Sequence, residues 1–289
     1  MLCISAKEFF LWEKHQLLKG GNKQSLSLIL ELVGGLTHHE INLIRIDFEG
    51  FLYLNKNLSL IETIWEKHVF DGIPVQHLVG YSYWRDLKLE VSEKVLIPRA
   101  ETELVIDIVF GIFENHPKEI VFAELGTGSG AISIALALAN PSWRGIATDI
   151  DKNAIKTALK NFKNYSNQRN LKFCCGHWWN PLEDLKGELE LVISNPPYIP
   201  KDTYKKLPKE VKDFEPKIAL LGGEDGLLHI REIIQLAPIY LKNRGWLIIE
   251  NHYDQGEKVS QLFLENKFTS VEVVKDLSGV GRFTIGRYK

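Results

Sequence analysis

From about residue 120 the sequence alternates between two periodicities. Apolar runs of strand length, IVFAEL, GIATDI, LKFCC and LVISN, are separated by segments that repeat at helical spacing, AISIALALA and DKNAIKTALKNF. Strand, helix and strand in that order predict a parallel sheet flanked by helices, because each crossover must carry the chain back to the edge from which it left. The tail breaks the alternation. Thr269 to Val274 and Arg282 to Tyr288 read as two strands joined by a glycine-containing turn, predicting an antiparallel pair at one sheet edge. The expected class is α/β with a mostly parallel sheet and an antiparallel C-terminal strand.

The 289 residues exceed one domain of ~150 residues, and the alternation leaves the chain before about residue 120 unaccounted for. Leu26, Ile29, Leu30 and Val33 fall at i, i+3, i+4 and i+7 before Gly34-Gly35, which predicts one amphipathic helix. Thr37 with Glu40 and Ser59 with Glu62 have capping-box spacing and should each start another, the second carrying Ile64, Trp65 and His68 toward a stop at Gly72 and Pro74. Residues 1–73 are therefore expected to form a small helical bundle without a catalytic cluster. Leu87, Leu89 and Val91 alternate with charged residues and Val95-Leu96-Ile97 follows a polar turn, so residues 74–98 are expected to be a β-hairpin linker. The sheet domain would span residues 99–289.

Composition narrows the partners. The 35 Lys plus Arg against 37 Asp plus Glu give a net charge of -2, without the basic excess of an extended nucleic-acid footprint. Three cysteines, Cys3, Cys174 and Cys175, offer neither a disulfide framework nor the C-x-x-C spacing of a zinc site. Lys7, Glu8, Glu13 and Lys14 interrupt the opening segment as no signal peptide is interrupted, and the run Ile132 to Ala139 is far short of the ~20 residues that span a bilayer. The expected compartment is cytoplasmic, with no membrane partner and no metal.

Glu124-Leu125-Gly126-Thr127-Gly128-Ser129-Gly130 follows a strand and opens a helix, where glycines permit close backbone approach and helix amides attract negative charge. On its own this could be a tight turn with no ligand. Asp149 ends the next strand about twenty residues on, where an acid can hold ribose hydroxyls in a doubly wound fold. Together they imply a nucleoside-bearing cofactor, either a dinucleotide or S-adenosylmethionine. The spacing Gly-x-Gly-x-Gly with Glu124 ahead resembles the first motif of class I S-adenosylmethionine methyltransferases. That resemblance implies a cofactor site at Glu124, Gly126, Thr127, Gly128, Ser129 and Gly130, with Glu124 facing the amino acid end and Asp149 the ribose. It also implies an adenine contact at Trp178, just past LKFCC.

LVIS runs into Asn195-Pro196-Pro197-Tyr198, placing an amide and two prolines at the carboxyl end of the fourth strand, where open α/β sheets bind ligands. As bare turn punctuation this would not explain the aromatic and the doubled proline. A planar NH2 group has its lone pair delocalised into a neighbouring π-system and is a poor nucleophile. The Asn195 side-chain carbonyl and the Pro196 backbone carbonyl can accept both of its N–H bonds, raising electron density on the nitrogen, while Tyr198 stacks on the plane. No strong general base is needed, because the proton is lost after attack on an activated methyl donor. A carboxylate in place of the amide would leave both acceptors unpaired. Glutamine, asparagine, adenine and cytosine all carry the required group, and Asn195 also borders the expected cofactor site.

Pro74 to Gly80 (PVQHLVG), Leu96 to Glu103 (LIPRAETE) and Phe214-Glu215-Pro216 with Ala219-Leu220, in one order with the tetrapeptide, resemble the peptide chain release factor glutamine methyltransferases, the PrmC/HemK family. The resemblance covers residue 74 to the terminus. It implies methyl transfer from S-adenosylmethionine, leaving S-adenosylhomocysteine, to the side-chain amide nitrogen of the glutamine in the Gly-Gly-Gln loop of bacterial class I release factors. Substrate binding and catalysis would fall on Asn195, Pro196, Pro197 and Tyr198. Ala100 stands where the family usually has proline, and His177 where an acid usually precedes the adenine-side aromatic. A nucleic-acid adenine N6-methyltransferase would use the same tetrapeptide on a flipped base. Lys201, Lys205, Lys206, Lys209 and Lys212 are better read as a solvated face than as its basic cleft. A non-enzymatic interaction module on a dead scaffold is opposed by the intact glycine turn and tetrapeptide.

Overall fold

The computed structural model describes residues 2–46, 48–114, 119–166 and 170–289. It divides into two compact units, Met1–Gly80 with Lys209–Phe214, and Tyr81–Pro208 with Glu215–Lys289.

The first unit contains β1 (Leu2–Ser5), α1 (Ala6–Leu18), α2 (Lys23–Ile29) continuing into a π-helical turn at Leu30–Gly34, α3 (His38–Ile46), β2 (Phe51–Leu54), α4 (Leu58–Asp71) and α5 (Val75–Val79). The capping box at Thr37 and Glu40 is present, Glu40 N donating to Thr37 Oγ1 and Thr37 N to Glu40 Oε2. The one expected at Ser59 and Glu62 is not. Asn57, just upstream and at least as strong a cap, accepts from Leu60 N at 2.9 Å, which leaves Ser59 inside the first turn. Glu62 instead takes Lys19 and Gln16. A second box, Ser5 with Glu8, starts α1. The unit is also not purely helical, because β1 and β2 form a two-stranded antiparallel ribbon with Cys3 opposite Tyr53. Phe9, Ile29, Leu54, Ile61 and Trp65 fill its core.

The second unit opens with β3 (Tyr81–Trp84) and β4 (Leu87–Glu90). This is the hairpin, and it differs from the expected one. The partner of Leu87-Leu89 precedes it, Trp84 pairing with Leu87 across Arg85-Asp86, with Arg85 in the left-handed region that such two-residue turns require. Val95-Leu96-Ile97 is irregular and forms no strand. Nor is the hairpin a free linker, since Trp84, Leu87 and Leu89 pack in one apolar cluster with Phe122, Ile134 and Ile248. The Asn161 amide bonds both N–H and C=O of Glu90, satisfying the open edge of β4.

After a 3₁₀ turn at Ala100–Glu103 come α6 (Leu104–Phe113), β5 (Val121–Leu125), α7 (Ala131–Ala139), β6 (Arg144–Asp149), α8 (Lys152–Tyr165), β7 (Leu171–Cys175) and β8 (Leu189–Ser194). Next are α9 (Lys201–Lys205), α10 (Lys209–Lys212, part of the first unit), α11 (Leu228–Tyr240), β9 (Leu241–Glu250), α12 (Gly256–Glu265), β10 (Phe268–Lys275) and β11 (Gly281–Tyr288). Seven strands form one sheet in the order β7-β6-β5-β8-β9-β11-β10. The strands from β5 to β9 are parallel neighbours, while β11 runs antiparallel to both β9 and β10. The expected terminal pair is thus present, but the last strand inserts inside the sheet and β10 becomes the edge. Because β5 to β9 point the same way, the glycine turn, Asp149, Trp178, the tetrapeptide and Glu250 all emerge at one sheet end. Among the described residues no helix is long and apolar enough to cross a membrane.

Candidate active site

The turn after β5 is built by its own side chains. Gly126, Gly128 and Gly130 all have positive φ, and a Cβ at Gly126 would lie 3.1 Å from the Trp178 ring. Glu124 is buried, with Oε2 accepting from Thr127 Oγ1 at 2.6 Å and Ser133 N at 3.0 Å. Burial pushes its carboxyl up to about 7, against the pull of those bonds. The Ser129 carbonyl accepts from the Asn161 amide. The side chains of Thr127 and Glu124 therefore brace the turn while both also line a cavity.

Asp149 ends β6 with Oδ2 accepting from Gly128 N and Oδ1 from Asp151 N, each at 2.9 Å. Burial raises its pKa, and each oxygen keeps a second lone pair. Two adjoining cavities meet here. The larger, about 760 Å³ with its open mouth, is lined by Asp149, Ile150, Trp178, Pro197 and His229. The smaller, about 420 Å³, is lined by Arg99, Thr102, Glu124, Thr127 and Ser129. Leu96, Gly126, Gly128 and Asn195 border both.

The two tryptophans of the His177-Trp178-Trp179 stretch point different ways in the structure. Trp179 turns into the core and stacks on Tyr240, with ring centroids 4.6 Å apart. Trp178 has φ 37° and gives its carbonyl to Thr148 Oγ1. Its ring lies beside His229 in the larger cavity. The indole Nε1 is buried without a hydrogen-bond partner. His177 faces Glu232 at 3.3 Å, so an acid stands next to it after all.

The tetrapeptide is held from two sides. Asn195 Nδ2 donates to Thr102 Oγ1 at 3.2 Å, and Thr102 Oγ1 donates to Glu250 Oε2 at 2.7 Å. The Tyr198 hydroxyl donates to Glu250 Oε1 at 3.3 Å. Burial and the neighbouring Glu250 raise the pKa of Tyr198 far above neutrality, so it stays a phenol. Gln255 Nε2 bonds the Tyr198 carbonyl. Pro196 and Pro197 are buried. Farther out, Glu215 receives Arg99 at 2.6 Å and Ile97 N, which ties Glu215 to the Leu96 to Glu103 segment. Sequence reasoning missed Thr102 and Glu250. Glu250 carried a readable signal, since it closes the run LIIE as Asp149 closes GIATD.

Comparison with known proteins gives the family. The methyltransferase small domain model matches residues 108–209. A release factor glutamine methyltransferase from Prochlorococcus marinus is 40% identical over 97% of this chain and 96% of its own. One from Thermosynechococcus vestitus is 36% identical over 91% and 90%. The chain belongs to the release factor glutamine methyltransferase family. A crystal structure of the hMettl16 catalytic domain with an RNA hairpin superposes with a TM-score of 0.56 at 17% identity, over 70% of this chain and 75% of that one. At that identity the likeness is of fold, which is that of a class I methyltransferase. A release factor glutamine methyltransferase of this fold implies S-adenosylmethionine as methyl donor. Among the described residues no group of three or more His, Cys, Asp or Glu could hold a metal ion.

One consequence is testable at the turn. Gly126→Ala would put a methyl against Trp178 at φ 78°, a conformation that costs an L-residue roughly 1–2 kcal/mol. Cofactor affinity is expected to fall about ten-fold, since the strain and the displaced ring act on the same cavity wall. Titration calorimetry measures it, and unchanged affinity would show that the Trp178 wall takes no part in binding.

Proposed function

We propose that this chain transfers a methyl group from S-adenosylmethionine to the side-chain amide nitrogen of the glutamine in the Gly-Gly-Gln motif of bacterial class I peptide chain release factors, releasing S-adenosylhomocysteine. The observation that carries this reading is the polarity of Asn195. Its Nδ2 is committed to Thr102, so its Oδ1 is left to accept an N–H where the two cavities meet.

The cavities fit the cofactor. A carboxylate with spare lone pairs (Asp149), a glycine backbone with no side chain to intrude, and a buried indole N–H with no partner are what a nucleoside needs. We assign Asp149 to the ribose, Trp178 to the adenine side, and Gly126, Gly128 and Gly130 with Thr127 and Ser129 to the turn that shapes the site. Glu124 serves the amino acid end chiefly by holding that turn. Bound S-adenosylmethionine would supply a methyl group on a cationic sulfur, an electrophile that needs no further activation. The protein's own work is orientation. Asn195 Oδ1 and the Pro196 carbonyl accept the two N–H bonds of the substrate amide, raise electron density on its nitrogen, and take up the positive charge that develops there. Tyr198, a neutral phenol, packs on the amide plane.

Unit one, residues 1–73 in the main, is assigned to holding the folded partner. It carries exposed Ile46, Phe48, Phe51 and Tyr53 and no chemistry of its own. The reaction is a cytoplasmic one. The adenine reading gains nothing from the lysines after the tetrapeptide, where Lys201 pairs with Glu224 and Lys205 with Asp202.

The deciding experiment supplies labelled S-adenosylmethionine with intact release factor, its Gln→Glu variant, a short Gly-Gly-Gln peptide and duplex DNA. Label is expected on the intact factor, far less on the peptide, which forgoes the contacts of the first unit, and none on the Gln→Glu variant. Preferential labelling of DNA would replace this assignment with the adenine one.

A further inference from the structure

Glu250 is the least explained group in the site. It is 2% exposed at the end of β9, after the buried run Leu247-Ile248-Ile249, and a carboxylate there costs several kcal/mol unless its oxygens are used. Both are used, in different directions. Oε2 takes the Thr102 hydroxyl and Oε1 takes the Tyr198 hydroxyl, so one side chain spans the 3₁₀ turn and both ends of the tetrapeptide.

We propose that Glu250 and Thr102 are positioning residues that set which end of the Asn195 amide faces the substrate. The inference rests on the reading of Asn195 as acceptor for the substrate N–H. A hydroxyl has one proton to give. While Glu250 is ionised, that proton goes to Oε2, Thr102 can only accept from Asn195, and the amide must turn Nδ2 toward Thr102 and Oδ1 toward the substrate. If Glu250 is protonated and donates to Thr102, the hydroxyl proton is free to go to Asn195. The amide then turns over and presents N–H to the N–H of the substrate, two donors facing each other. The relay therefore makes acceptor polarity depend on one buried charge.

The groups around Glu250 tune that charge. Burial raises its carboxyl to about 7, helped by Glu101 on the 3₁₀ turn, while the Thr102 and Tyr198 bonds and Arg282 on β11 oppose it. The next ring outward is His252, beside Tyr198. Glu124 is raised to a similar value but braces the cofactor turn, so working at saturating cofactor isolates Glu250.

The test uses the full chain with release factor as acceptor. Thr102→Val removes both the acceptor and the donor, and is expected to lower kcat roughly thirty-fold with cofactor affinity within about three-fold, because it releases the orientation of a single acceptor. Thr102→Ser should recover most of that loss. Parent kcat should rise with pH from about 6 to about 8 as Glu250 ionises, and Glu250→Gln should be slower and lose this rise. Its amide has one acceptor oxygen where the carboxylate had two. A Thr102→Val enzyme within about three-fold of the parent, or a Glu250→Gln enzyme that keeps the pH rise, overturns the proposal. If Glu250→Gln does not fold, the Val and Ser pair decides. A readout without acceptor separates this inference from the substrate assignment. The Asn195 side-chain amide resonances should shift over the same pH range in the parent and stay fixed in Glu250→Gln or, failing that, in Thr102→Val. If release factor is not methylated at all, the proposed function fails while these resonances still judge the relay.

Discussion

Asn195→Ala is expected to cut methyl transfer roughly a thousand-fold, the upper range for loss of one aimed hydrogen-bonding group, while S-adenosylmethionine affinity stays within about three-fold. The argument is one of position. Asn195 borders both cavities, so it could serve cofactor, substrate or both, but its one committed bond runs to Thr102 and not to the glycine turn or Asp149. The carbonyl left over is an acceptor, which suits an N–H donor. Alanine also strands the Thr102 lone pair, a smaller loss that falls on the same side of the site. Calorimetry for the cofactor and single-turnover transfer at saturating acceptor separate the two effects. Transfer within a few-fold of the parent would remove Asn195 from the chemistry. Intact transfer with a hundred-fold weaker cofactor would make it a cofactor residue instead.

Much of this site was legible because its parts announce themselves locally. A glycine turn between a strand pattern and a helix pattern, an acid closing a strand, and an amide before two prolines each need only a handful of consecutive residues. Parallel topology then forces them to one sheet end. What was not legible depended on pairing. The Thr102 to Glu250 bond joins residues 148 apart in sequence, and no periodicity reports it. Val95-Leu96-Ile97 reads as a strand by composition, yet Val95 and Leu96 line the larger cavity, so their apolar character serves that wall. The ribbon of β1 and β2 was hidden by strands of four residues each, too short for a pattern of period two to stand out from helical spacing. Ser59 has capping-box spacing to Glu62, but Asn57, two residues upstream, competes for the same helix start and caps it.

Asp149→Ala should act on the other side of the reaction, weakening S-adenosylmethionine binding by roughly a hundred-fold or more and leaving kcat at saturating cofactor within about ten-fold. Two charge-assisted bonds to ribose hydroxyls, each worth about 1.5–3 kcal/mol before relaxation, set the scale. The structure adds a second contribution that the sequence did not suggest. Asp149 also holds Gly128 N and Asp151 N, so its loss frees the centre of the glycine turn. Asp149→Asn distinguishes the two contributions. Its one remaining carbonyl can keep the Gly128 bond, while its NH2 cannot accept from a ribose hydroxyl, so it should hold the turn in place and still lose much of the affinity. Equal affinity for Asn and the parent, with a loss only in Ala, would mean that Asp149 shapes the turn and does not touch the cofactor. Equal affinity in all three would reduce it to an acid favoured by the start of α8, where Asp151 already caps the helix through Asn153 N.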